Sequence, residues 1–172
     1  LSEGKSPEVL DYVSRIQDQL ASPARRCIIN TGNPFLDAIL TSKLEQASEA
    51  GIQTDTEIMV VKNMNINMID CGIIFGNILD NAIEACQLIK NQEQRKISVK
   101  LLYKKNMLVC GFSNSMSQDV PVRAGFPTTK SSPEQHGLGL SNVREAAAKY
   151  GGNLNIRAEQ GRFEVSFVLF GV

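Results

Sequence analysis

The chain has 172 residues, with 18 Lys+Arg against 18 Asp+Glu, a single His, and 42% apolar residues that include seven Phe and no Trp. That length supports one domain with a real core plus a short extension, and the neutral balance excludes a general affinity for nucleic acid, so phosphate recognition would have to come from local geometry. Cys27, Cys71, Cys86 and Cys110 lie in apolar segments without a C-x-x-C pair and read as reduced thiols; no run is apolar enough for a membrane span, and nothing reads as a signal peptide.

Val9, Val13, Ile16 and Leu20 recur at helical spacing among polar residues, a narrow stripe suited to pairing with another helix, and Pro23 ends it. A second helix opens with Asn33 as N-cap and Pro34 at its first position. It carries Leu36, Ile39, Leu40 and Leu44 on one face and stops at Gly51. A strand is expected over 52–61, then a helix from about Met68 to Lys90. KISVKLLY and MLVCGFSN read as two strands joined by a Lys-Lys-Asn turn. Residues 114–139, with Pro121, Pro127 and Pro133, read as a long structureless loop, a length that is usually functional or disordered. A helix from about Leu140 to Tyr150 halts at Gly151-Gly152, and a final hairpin turns near Gln160-Gly161 with Phe163, Val165, Phe167 and Leu169 alternating. The tally predicts an α+β fold, a two-layer sandwich with helices covering one face of a mixed, mostly antiparallel sheet.

Three motifs carry candidate chemistry. In FGNILDNAIEAC, a helical wheel puts Asn77, Asn81 and Glu84 on one stripe, with Asp80 and Gln87 at its edge. Ile74, Phe75, Ile78, Leu79, Ala82, Ala85, Cys86 and Ile89 fill the opposite arc. A solvated face explains a generic polar stripe, but such a face would use Glu and Lys at i, i+4 spacing. Short amides instead offer fixed carbonyl oxygens to a hard cation that keeps some of its water. In HGLGLSNVREAAAKYGG, Gly137 and Gly139 precede an amphipathic helix, either as a plain helix start or as a phosphate-binding N-terminus. In FPTTKSS, Lys130 is the one basic residue between Arg123 and Arg144; it fits an ordinary polar loop or a cation folding over a phosphate. His136 reads as a surface or capping residue, or as part of that site.

Taken together, these motifs resemble the GHKL superfamily of ATP-binding domains, which includes gyrase-type ATPases and sensor histidine kinases. NILDNAIEA resembles the N box of the kinases, TTK their lid region with Phe126 beside it, and GLGLSNV their glycine-rich box; the closest subgroup is the peptide-quorum-sensing type. The resemblance implies a Bergerat-type sandwich that binds ATP and Mg²⁺. Asn81, with Asn77, would hold the metal. Gly137, Leu138 and Gly139 would line the triphosphate, flanked by His136 and Leu140, and Lys130 would contact the terminal phosphate. Glu84 stands where a lysine is often found, and Gln135 replaces the first glycine of the glycine-rich box. Asn114, in Asn114-Ser115-Met116-Ser117-Gln118, replaces the acid of the usual adenine-reading motif as a neutral acceptor. Asn77 stands where the hydrolases have the glutamate that activates water, and an amide cannot take that proton.

The same resemblance implies transfer of the γ-phosphoryl group to a histidine outside the sequence, on a helical hairpin of the same kinase, with a response regulator downstream and a dimer in the full-length protein. Residues 1–27 would be the tail of a hairpin helix and a linker, and 28–172 the ATP-binding catalytic domain. The sequence begins with Leu1, as a fragment would; a cytoplasmic location follows, with any membrane attachment through segments further upstream. The alternatives are an ATPase that uses hydrolysis as a conformational switch, and a non-enzymatic interaction module.

Overall fold

The computed structural model describes residues 29–59, 64–117 and 139–172, and the backbone alone at 122–123, 126–127 and 138. The predicted Val9–Leu20 helix, Lys130, His136 and Gly137 lie outside these residues, as does the whole 1–27 segment.

Helix α1 (Pro34–Glu49) begins as predicted. Asn33 Oδ1 accepts from the amides of Phe35 (3.0 Å) and Leu36 (3.1 Å), which satisfies donors that the first turn leaves open. The entry is fixed further by Asp37, whose Oδ1 accepts from both the amide (2.7 Å) and the hydroxyl (2.6 Å) of buried Thr31. Leu36, Leu40 and Ala47 are buried, with Ile39 and Leu44 packed partly against the core.

Strand β1 (Gln53–Met59) is shorter than the 52–61 expected: Ile52 is already buried, its amide folded back onto the Ala47 carbonyl, and residues 60–63 are not described. The expected continuous helix from Met68 to Lys90 is instead three pieces. Helix α2 (Met68–Cys71) leads into a π-helical turn (Gly72–Gly76), and α3 (Asn77–Gln87) follows. A π turn hydrogen-bonds each residue to the fifth rather than the fourth ahead; Gly72 and Gly76 bound the apolar Ile73-Ile74-Phe75 run with ordinary helical dihedrals. The wheel's apolar arc is also corrected. Ile83, which was left out of it, is buried with Ile74, Phe75, Ile78, Leu79, Ala82 and Cys86, whereas Ala85 is only partly buried.

Strands β2 (Lys96–Lys104) and β3 (Met107–Ser115) form the predicted hairpin, with Lys105 and Asn106 both at positive φ in its two-residue turn. The region 114–139 is not wholly structureless: β3 runs to Ser115, and β4 (Val122–Arg123) pairs antiparallel with β5 (Phe126–Pro127). Helix α4 (Leu138–Ala148) starts two residues before the predicted Leu140. It stops where expected, with Gly151 at φ +65 and the Gly152 amide on the Ala147 carbonyl at 2.9 Å. Strands β6 (Asn155–Glu159) and β7 (Arg162–Phe170) close the chain around Gln160-Gly161.

The five long strands form one sheet in the order β1-β2-β3-β7-β6, with only β1 and β2 parallel. This is the two-layer α+β sandwich expected from the sequence. Alternation puts Ile97, Val99 and Leu101, Leu108, Cys110 and Phe112, and Phe163, Val165, Phe167 and Leu169 on the face under the helices. Phe112 lies between Phe75 (centroids 6.1 Å apart) and Phe167 (6.2 Å), so the helix and two strands share one aromatic contact chain. Burying a Phe of this kind contributes roughly 2–3 kcal/mol. The opposite face carries Glu57, Lys100, Arg162 and Glu164, whose side chains pair as Lys100–Glu57 (2.8 Å) and Arg162–Glu164 (2.9 Å) in solvent.

Helices α1 and α3 lie side by side in the same direction. Lys43 bridges Asp80 at 2.6 Å, and Arg95 ties their C-terminal ends together. Its Nη1 donates to the Ala50 carbonyl (3.0 Å), and its Nε (2.9 Å) and Nη2 (2.8 Å) donate to that of Ile89. Helix α4 runs the other way. Its end meets the start of α2, where Lys149 Nζ lies 2.7 Å from Asp70 Oδ1 and the Tyr150 hydroxyl donates to Asp70 Oδ2 at 2.8 Å.

Candidate functional site

That antiparallel arrangement brings the first turn of α4 opposite the first turns of α3. A Cβ added at Gly139 would stand 3.6 Å from Asn77 Oδ1 and 3.7 Å from Asn81 Nδ2. Two motifs 58 residues apart in sequence, Asn81 and Gly139, thus face each other across one narrow gap, close enough that even a methyl at Gly139 would touch both amides. The backbone amides of an α-helix's first turn have no partner within their own helix, so this end of α4 offers donors and the positive end of the helix dipole to an anion.

Asn77 is held rather than free. Its Nδ2 donates to the Ile73 carbonyl at 2.7 Å, inside the π turn, where the i+4 backbone bond is displaced. With the nitrogen committed there, the oxygen is the atom directed toward Gly139. Asn81, one turn on and half-buried, presents its amide to the same gap. Asp80 does not join them, because Lys43 draws its carboxylate toward α1. The result is a pair of neutral amides. Asn77 Oδ1 faces the gap, whereas Asn81 turns its Nδ2 toward it, so a flip of the Asn81 amide would bring a second neutral oxygen to a partly hydrated Mg²⁺ whose remaining charge is balanced by phosphate.

Asn114 lies farther along the same helical layer, on the inner face near the end of β3. Neighbouring Ser115 offers its carbonyl to Cys86 Sγ at 3.5 Å, which places this strand end beside the last turns of α3. From Asn77 to Cys86 the helix advances roughly 14 Å. Asn114 is 5% exposed, and its Nδ2 donates to the Ser115 carbonyl at 2.9 Å. Its side-chain oxygen has no partner among the described residues, an acceptor left open in a nearly dry place. An amine donor such as the adenine N6 group would satisfy it.

The other predicted site residues divide clearly. Glu84 is exposed on the Asn77–Asn81 stripe. Leu140 packs partly against the core, so its side chain supports the turn from below. Leu138 opens α4 through its backbone. Two clefts of about 310 and 420 Å³ open on the bare face of the sheet. Only the larger reaches Asn114 and neither reaches Asn77 or Asn81; Lys100, Arg162 and Glu164 of the smaller cleft are engaged in the ion pairs above.

Three supporting features escaped the sequence reading: the Ile73 carbonyl that orients Asn77, the Lys43–Asp80 bridge, and the Asp70–Lys149–Tyr150 cluster. Asp70 is 5% exposed, and the hydrogen bond from Lys149 holds its carboxyl below the usual range, against the opposing effect of burial; the Tyr150 bond adds to the lowering. The Tyr150 hydroxyl also accepts from the Asn67 amide at 3.0 Å. The available signal was one acid inside the apolar run MIDCGIIF. The three thiols among the described residues are inert by contrast: burial pushes Cys71 up to about 12 and raises Cys86 and Cys110 as well.

No curated protein matches the chain. Among solved structures, the catalytic domain of histidine kinase ThkA superposes with a TM-score of 0.61 at 19% identity, covering 82% of this chain and 92% of that one. The mycobacterial sensor histidine kinase MprB gives 0.56 at 16% identity, covering 79% and 93%. A histidine kinase from Burkholderia phymatum gives 0.57 at 14% identity, covering 95% and 78%. Identities this low establish a shared fold. A family model described as "GHKL domain" matches residues 66–170, from just before α2 through the end of β7, and so takes in both Asn residues, Asn114 and the start of α4. The chain belongs to the GHKL domain family.

Proposed function

We propose that the domain binds Mg·ATP and transfers the γ-phosphoryl group to a histidine on a separate helical hairpin of the same kinase, from which a response regulator receives it. The observation that carries this reading is the facing of Gly139 on Asn77 and Asn81, in a fold shared with histidine kinase catalytic domains. When bound, Mg²⁺ would neutralise phosphate charge. Asn81 and Asn77 would hold it through their amide oxygens, the Ile73 carbonyl fixes which atom Asn77 presents, and the first turn of α4 supplies donors to the phosphate oxygens. Asn114 would accept from the adenine amine at the far end. Lys130, with His136 and Gly137, would complete the phosphate side from outside the described residues.

The ATPase alternative is disfavoured by Asn77, which cannot accept a proton from water, and by Asp80, which Lys43 engages on the other side of α3. A kinase that must hold ATP until a protein acceptor docks gains from both. Phosphoryl transfer of this kind rests on positioning and charge neutralisation. The acceptor hairpin and a dimer through it are the implied partners, and the setting is the cytoplasmic side of a sensor. Among the described residues no helix is long and apolar enough to cross a membrane. The test mixes this protein with a separately prepared acceptor hairpin and Mg·ATP. Acid-labile phosphohistidine on the hairpin is expected, and steady phosphate release without it would favour the ATPase.

A further inference from the structure

Helix α4 presents its first turn to the nucleotide gap but is tied down at its other end. The Phe170 amide donates to the Tyr150 carbonyl at 2.8 Å, which holds that end against β7. A second set of bonds reaches sideways to the helical run that carries Asn77 and Asn81. Lys149 Nζ lies 2.7 Å from Asp70 Oδ1, and the Tyr150 hydroxyl donates to Asp70 Oδ2 at 2.8 Å while accepting from the Asn67 amide at 3.0 Å. Asp70 is 5% exposed, so both carboxylate oxygens are committed where little solvent competes.

Apolar packing gives α4 little to hold its place along its own axis. Its buried residues are Val143, Ala146 and Ala147, with Leu140 and Tyr150 partly covered. Side-chain ridges seated in grooves fix one helix along another, and alanines raise almost no ridge. A buried polar pair, costly unless it is aligned, specifies the register instead. The lengths connect this tie to the site. Helix α4 rises about 15 Å from Gly139 to Lys149, and the run from Asp70 to Asn81 rises about 16 Å. A displacement at Asp70 therefore travels along a stiff helix to the first-turn amides opposite Asn81.

We infer that Asp70 is a positioning residue for the nucleotide's phosphates. By gripping Lys149 and Tyr150 it sets where α4 lies along α3, and so how far the first-turn amides of α4 stand from Asn77 and Asn81. The inference rests on the reading of that gap as a nucleotide site. Mg²⁺ demands near-ideal octahedral geometry, and a misplacement of about 1 Å costs on the order of 100-fold, so a partial shift of α4 predicts a loss of about tenfold. The loss falls on the phosphates alone, because Asn114, at the adenine end, stands on β3 and not on α4.

The test compares Mg·ADP, titrated by calorimetry, with adenosine, which has no phosphates and is titrated by protein NMR shifts. The proteins are the complete 172-residue wild type, Asp70→Asn, Tyr150→Phe and Lys149→Arg, each at a temperature where circular dichroism shows it folded. Asp70→Asn and Tyr150→Phe should bind Mg·ADP about tenfold more weakly, with adenosine changed by under about twofold. Lys149→Arg keeps a cation on the carboxylate and should hold Mg·ADP within about threefold of wild type. If Asp70→Asn does not fold, Tyr150→Phe carries the same comparison. Mg·ADP affinity unchanged in the variants would overturn the inference while leaving the nucleotide site standing. Equal losses for Mg·ADP and adenosine would also overturn it, as the mark of general loosening. A wild type that binds no Mg·ADP would overturn the nucleotide reading, and the inference with it.

Discussion

Asp70→Asn removes one charge and almost no volume, and the structure fixes what it should cost. The carboxylate accepts two short bonds in a nearly dry position, 2.7 Å from Lys149 and 2.8 Å from Tyr150. An asparagine can serve one of those donors but turns its NH₂ toward the other. Lys149 is 60% exposed in its side chain and regains water easily, so the penalty concentrates on the Tyr150 side. Hydrogen bonds to charged groups contribute about 1.5–3 kcal/mol, and the partial rescue by Asn sets the expectation near 2 kcal/mol. For a domain of this size that is a fall in Tm of about 4–8 °C. The sign with pH follows from the lowered carboxyl. A group whose folded pKa lies below its unfolded value, about 3.9 for Asp, stabilises fully above that value and loses the contribution as pH falls through the folded pKa. Urea unfolding followed by circular dichroism should therefore show a wild-type advantage at pH 7 that shrinks as pH drops below about 4. An advantage under about 0.5 kcal/mol at pH 7, or one that grows in acid, would refute the reasoning.

Arg95→Ala should cost about 2–3 kcal/mol in the same unfolding assay, because it strips the donors from two helix ends at once; Arg95→Lys should recover less than half, since one ammonium cannot span Ala50 and Ile89 together. Gly152→Ala would drive a Cβ to 2.9 Å from the carbonyls of both Ala147 and Val168, backbone atoms that cannot swing aside, and should lower Tm by roughly 5–10 °C. Asn77→Ala separates stability from function: losing the bond to Ile73 costs about 1 kcal/mol, and the better helix propensity of Ala returns about half of that. Unfolding should thus shift by under about 1 kcal/mol while Mg-dependent nucleotide affinity falls at least about tenfold.

The elements with strong local signals were legible from the residues alone. Asn33-Pro34 marked the start of α1, Gly151-Gly152 the end of α4, and the alternation in KISVKLLY and RFEVSFVLF gave the buried face. The amide stripe was legible for the same reason, since Asn77 and Asn81 recur at helical spacing against a full apolar arc. What stayed hidden were effects that depend on a third element. The π turn competes with an ordinary helix by a small margin and is settled by packing of Ile74 and Phe75, which no periodicity reports. Ile83 sits at the border of the wheel, where burial is decided by what packs around the helix and not by its own periodicity. The pairings of Asp70 with Lys149 and of Lys43 with Asp80 join residues 79 and 37 positions apart, and nothing local distinguishes them from solvated charges.

The central claim is that Asn81 and Asn77, facing the first turn of α4 across Gly139, form an ATP site that works through a magnesium ion. Titration calorimetry with ADP, with and without Mg²⁺, on the wild type and on Asn81→Ala tests it most directly. The account predicts binding heat for the wild type that depends on Mg²⁺, and loss of that dependence in Asn81→Ala with unfolding little changed. Binding that is equally strong with and without Mg²⁺, or unaltered by the substitution, would contradict it.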